Sequence, residues 1–175
     1  MIKFKFLFMF FLLSIAGRTF ADNLTVNFEG VLLTIGCRLD DDDMQKKIHL
    51  SDLRFSTLEN TGRSELIPFT ITLKNCSKMA LNKTVKINFN TQDYEVHNGL
   101  TYLKTTGDAN VLLALTDGNG KEIVFNKPIS ISAITETGMG GGNKLKFGVY
   151  AKTPFDSRLQ IGGFSSTIMF NIEYQ

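Results

Sequence analysis

Two cysteines and two histidines are all that this 175-residue chain has of the side chains that most readily hold a transition metal. With only His49 and His97 beside Cys37 and Cys76, a tetrahedral zinc site has no ready ligand set. After the N-terminal residues the chain has no second long apolar run, so nothing further along it reads as a membrane span. It lacks a basic patch, and with it an argument for nucleic acid. Neither histidine adjoins a nucleophile, and there is no hydrolase elbow or carboxylate pair at reaction spacing, so no enzyme is expected. A convincing 3.6-residue apolar repeat of helical length is also missing.

What is present begins with a leader. Lys3 and Lys5 precede an apolar stretch from Phe6 to Ala16, and Thr19-Phe20-Ala21 places small residues where a signal peptidase cuts. Residues 1–21 read as a secretory signal peptide cleaved after Ala21, with Gly17 as the alternative site. Cleavage leaves 154 of the 175 residues, one domain's worth. Without Lys3, Lys5 and Arg18, 16 basic residues stand against 17 acidic ones. Export to an oxidising compartment favours a Cys37–Cys76 disulfide, the alternative being two unpaired buried thiols.

Short β-rich runs follow one another to the end of the chain. Strands are expected at 66–75, 84–90, 111–116, 121–125, 129–134 and 144–151, with a short one near 47–50. Asp117-Gly118-Asn119-Gly120 supplies hairpin-turn chemistry. In the run before Cys76, Ile67, Phe69, Ile71 and Leu73 alternate with Pro68, Thr70, Thr72 and Lys74, the mark of one core face and one wet face. This spacing predicts an all-β sandwich. The Asp40–Asp43 run lacks the ligand spacing of a calcium loop and reads as a solvated acidic loop.

Two segments stand out. The run from Gly162 to Gln175 reads as a terminal strand with Phe164, Ile168, Phe170, Ile172 and Tyr174 on one face, Ser166 and Met169 breaking the pattern. Ahead of Cys37, Leu24, Val26, Phe28, Gly30 and Leu32 alternate with Thr25, Asn27 and Glu29, with a glycine in mid-strand where it is costly. Periodicity alone leaves open that residues 24–32 are the first strand of an ordinary closed sandwich, paired with the terminal strand of the same molecule.

The N-terminal alternation around Gly30, Cys37, the run Phe69-Thr-Ile-Thr-Leu-Lys-Asn-Cys76, Gly162 and penultimate Tyr174 together resemble a chaperone–usher pilin. Asn75-Cys76, the Leu113–Gly120 hairpin and Lys146-Phe-Gly-Val-Tyr-Ala are most similar to minor tip or adaptor subunits of P-type pili. The resemblance implies an incomplete immunoglobulin-like sandwich lacking its seventh (G) strand, with residues 22–36 as a donor-strand extension and 37–175 as the pilin domain. It implies a groove along Gly162, Phe164, Ile168, Phe170, Ile172 and Tyr174, filled first by a periplasmic chaperone and then, at an outer-membrane usher, by the extension of a neighbouring pilin. Strand addition of this kind draws affinity from backbone hydrogen bonds and specificity from alternate side chains; chaperone–pilin complementation is the standard example. The implied product is an adhesive fimbria on a Gram-negative bacterium, with no cofactor or metal. A terminating or anchoring pilin, a receptor-binding adhesin and a secreted β-sandwich enzyme are the alternatives.

Overall fold

The computed structural model describes residues 36–51 and 53–175. Residues 1–21, expected as a signal peptide, and the expected donor residues Leu24, Val26, Phe28, Gly30 and Leu32 lie outside the described residues.

Eleven strands carry the described fold: β1 (Arg38–Leu39), β2 (Ile67–Lys74), β3 (Thr84–Asn90), β4 (Tyr94–His97), β5 (Leu100–Lys104), β6 (Thr106–Gly107), β7 (Leu112–Asp117), β8 (Ile129–Ala133), β9 (Gly142–Lys152), β10 (Phe164–Ser165) and β11 (Met169–Tyr174). They form a six-stranded sheet in the order β1-β2-β9-β7-β5-β4, a three-stranded sheet β11-β3-β8, and a small β10-β6 pair. Every ladder is antiparallel. The fold is an all-β, immunoglobulin-like sandwich.

Period-2 patterning explains which faces meet. In β3, Val85, Ile87 and Phe89 are buried while the residues between them are half-buried. They meet Ile71 and Leu73 of β2 and Leu145, Phe147 and Val149 of β9 in one core. Phe147 stacks on Phe69 at 5.5 Å and meets Phe89 edge-on at 5.4 Å, geometries that add to simple area burial.

The strand β7 departs from this alternation, because Leu112 through Thr116 are buried on both faces. Its outer face belongs to a second cluster of Tyr102, Leu112, Ala114 and Tyr150, against which Phe155 packs. Phe155 lies parallel to the His97 ring at 3.7 Å and edge-on to Tyr102 at 5.2 Å. Burial, and then Glu122, which accepts the hydroxyl hydrogen bond, raise the Tyr150 phenol far above its ordinary pKa.

Three expectations need correction. The return from the Asp117 turn makes a single bridge, Thr116 to Glu122, rather than a strand over 121–125. Its backbone instead uses buried Thr101, whose Oγ1 accepts from the Phe125 N–H at 2.8 Å and donates to the Ile123 carbonyl. Residues 47–50 form no strand, and a helix, α1 (Phe55–Thr61), stands where none is expected. It is two turns long, buries only Leu58, and ends on Gly62 in the left-handed conformation.

The acidic run is not simply solvated. Asp43 is buried, accepts the Thr72 N–H at 2.6 Å and pairs with Lys46. Asp40 pairs with Lys74, which holds its carboxyl below the usual range, and Asp41 pairs with Arg38. The run therefore fastens β1 to β2.

Cys37 and Cys76 are joined in a disulfide. Closing a loop of this length removes about 4 kcal/mol of unfolded-chain entropy in the chain-entropy model. Replacing both cysteines with serine is expected to cost about 2–5 kcal/mol, read as a lower denaturation midpoint. An unchanged midpoint would show that the neighbouring backbone bonds suffice.

Candidate strand-acceptor groove

Two sheet edges define the site. β1 ends the six-stranded sheet and β11 ends the three-stranded one. At one end they are tied together, because the Cys37 N–H donates to the Tyr174 hydroxyl at 3.2 Å. Burial raises the Tyr174 pKa, so the phenol stays neutral in this contact.

One wall of the site is the terminal run. Phe170, Ile172 and Tyr174 alternate with exposed Met169, Asn171 and Glu173 on β11, and register against Phe89, Ile87 and Val85 of β3. Ile168 just before the strand and Phe164 on β10 pack on the same core. All five stay half-buried, while the β3 partners of Phe170, Ile172 and Tyr174 are fully buried. Among the described residues no strand covers this half-exposed apolar row along the β11 edge, the kind of surface that invites strand addition.

The opposite wall was not legible beforehand. Leu39 on β1 and Ile48, Leu50 and Leu53 after it are half-buried against the same core. At the end away from Tyr174 the two walls meet around a cavity that opens to solvent. Leu53, Phe55 and Leu58 line it from one side and Leu159, Ile161 and Phe164 from the other. Among the described residues, no strand pairs with the free side of β11.

The terminal run is not one strand. Phe164–Ser165 pairs with β6 and Met169–Tyr174 with β3, and Ser166 at the break donates its hydroxyl to the Lys104 carbonyl at 2.7 Å. The two interruptions in the alternation, Ser166 and Met169, flank this change of partner.

Gly162 sits at the cavity rather than beside β11. A Cβ there would lie 2.3 Å from the Asp108 Cβ and 3.0 Å from the Ala109 nitrogen, so a backbone must pass where a side chain cannot. Gly162→Ala is expected to lower the thermal midpoint by forcing the 159–163 segment off the 107–110 loop, at a cost of about 1–3 kcal/mol. Gly163→Ala meets nothing within 4 Å and is the control. Equal midpoints for the two would remove the steric argument.

Comparison with known proteins agrees with this architecture. No family model matches the chain. It is 26% identical over 164 residues to KS71A fimbrillin of Escherichia coli, covering 86% of this chain and 83% of that one. It is 26% identical over 152 residues to the major MR/P fimbria protein of Proteus mirabilis, with the same coverage. Among solved structures it superposes on the P pilus rod subunit PapA with a TM-score of 0.64 at 26% identity, spanning 80% of this chain and 99% of that one. It also matches a chaperone–usher pilus rod structure in fold, with a TM-score of 0.67 at 24% identity over 89% of this chain and 97% of that one. In sequence and in fold the chain is thus similar, over most of its length, to chaperone–usher pilins, the structural subunits of surface fimbriae.

Proposed function

We propose that the subunit polymerises by donor-strand exchange, accepting a strand in the groove between β1 and β11 and donating residues 24–32 to a neighbour. The observation that carries this is the row Phe164, Ile168, Phe170, Ile172 and Tyr174, held half-exposed beside an edge that is unpaired among the described residues. An added strand would hydrogen-bond to the free side of β11 and press alternate side chains onto the row. Leu24, Val26, Phe28 and Leu32 of the donor have the matching period. Burying those four would contribute about 6–12 kcal/mol before ordering costs.

The extension and the groove are different surfaces, so the contact is heterologous and propagates as a fibre rather than closing into a pair. Before assembly a periplasmic chaperone fills the groove, and an outer-membrane usher is the site of exchange. Of the named relatives, one is a major fimbria protein and one a rod subunit. Their names favour a repeating position in the fibre over the tip or adaptor position expected from the Asn75-Cys76, hairpin and Lys146–Ala151 cues. A position in the fibre is decided by what the subunit binds on each side.

A synthetic peptide of residues 22–36 tests the reading. Added to the chaperone-bound subunit, it is expected to release chaperone and yield a cooperatively unfolding one-to-one complex. A peptide with Phe28→Asp is expected to fail. Release by both peptides alike, or by neither, would overturn self-complementary exchange.

A further inference from the structure

Of the exposed large apolar side chains, five lie at the two ends of the sandwich: Met79, Leu81 and Met139 at one, Phe55 and Ile161 at the other. At one end lie the disulfide, the start of β3 and the C-terminus, with Gln175 and Thr84 exchanging both backbone hydrogen bonds. Here Met139 is 97% exposed, and Met79 and Leu81 are each nearly half exposed. The Met139 loop is firmly held. Gly138 donates its N–H to the Cys76 carbonyl at 2.9 Å, and Glu136 accepts the Gly142 N–H at 2.7 Å. Buried Asn143 accepts from the backbone of Thr135 and Glu136 at 2.8 and 3.1 Å. A large apolar side chain presented to solvent on a pinned loop is a knob awaiting a surface.

At the other end, beside the groove cavity, Ile161 is 80% exposed and Phe55 is also solvent-facing. We propose that in the fibre the disulfide end of each subunit seats on the cavity end of the copy that receives its extension, with Met139, Met79 and Leu81 covering Ile161 and Phe55. This rests on the donor-strand reading given above.

The chain's own connectivity selects this partner and orientation. The extension joins the domain at Gly36-Cys37, in the middle of the apolar end. The five steps from Leu32 to Cys37 reach at most about 18 Å, so the donor's disulfide end must lie close to the groove it fills. Entry from the acceptor's own disulfide end would set two like ends, each with its own extension, against one another. Entry from the cavity end gives a head-to-tail fibre. It also runs the donated strand antiparallel to β11, as in every other ladder of the molecule. Strand donation then brings the two apolar ends together, so the junction is a seated contact rather than a free hinge.

Cross-linking tests the contact. Chaperone-bound donor carrying Met139→Cys is paired with chaperone-bound acceptor carrying Ile161→Cys, treated with a short bismaleimide and read on a gel. A donor with Val96→Cys, an exposed site on edge strand β4, is the reference. The 139–161 pair is expected to link roughly tenfold more than the 96–161 pair, because seating raises the local concentration of one pair only. With unmodified chains, peroxide oxidation of Met139 is expected to slow by a similar factor on pairing. Equal cross-linking at both donor sites, or Met139 oxidation unchanged by pairing, overturns the contact. If the 22–36 peptide also fails to release chaperone from the acceptor, the donor-strand reading falls and takes this inference with it. If the peptide works and these two signals are flat, the seated contact alone is wrong.

Discussion

Phe170→Asp and Ile172→Asp are each expected to abolish recovery of the subunit with its chaperone, while Asn171→Asp leaves most of it. The three positions are consecutive on β11, yet Phe170 and Ile172 turn toward the core and Asn171 is exposed. Phe170 registers against Phe89, with ring centroids 6.0 Å apart, and Ile172 registers against fully buried Ile87. An aspartate at either place gives up about 1.5–3 kcal/mol of apolar burial. It also sets an unpaired charge where the incoming strand would exclude water, which costs several kcal/mol more. Against a domain stability of about 5–15 kcal/mol the combined loss is decisive. Co-purification of each variant with tagged chaperone reads the outcome. Similar yields for all three would mean that the core-facing row is not what the chaperone binds.

The sequence exposed one wall of the groove and hid the other for a physical reason. β11 announces itself because a half-covered strand must alternate, and Phe170, Ile172 and Tyr174 do so through to the penultimate residue. Ile48, Leu50 and Leu53 serve the same groove from irregular backbone, where no period organises them. β2, β3 and β9 were legible for the same reason as β11. β7 reads as a continuous apolar run because the Phe155 segment covers its outer face, a long-range contact with no local signature.

Other features carried a signal that alternation cannot supply. The β4–β5 hairpin turns on Asn98-Gly99, both at positive φ, the standard chemistry of a two-residue hairpin loop. The helix α1 shows only Gly62 as its stop, since seven residues with one buried side chain give no measurable period. Thr101 is invisible to pattern reading altogether. Its hydroxyl replaces ladder bonds for Ile123 and Phe125, so residues with good strand composition form no strand.

Gly30→Leu is expected to separate the two roles of the subunit, stopping donation while leaving acceptance intact. In the proposed donor segment Leu24, Val26, Phe28 and Leu32 each bring a side chain to the groove and Gly30 brings none. A donor face with one gap fits an acceptor that is shallow at that register, and four added carbons there must displace packed walls. Overpacking of this size costs about 1–3 kcal/mol, enough with lost register to prevent exchange against a bound chaperone strand. The groove between β1 and β11 is untouched by the change, so the variant should still be captured by chaperone and still accept the 22–36 peptide. Thr25→Ala, on the opposite face of the segment, is the control. Each variant is mixed as its chaperone complex with a chaperone-bound acceptor, and a native gel follows chaperone release and appearance of the pair. Pairing by Gly30→Leu at the rate of Thr25→Ala would show that residues 24–32 enter no groove. A Gly30→Leu subunit that loses chaperone capture as well would show that the segment belongs to the subunit's own sandwich.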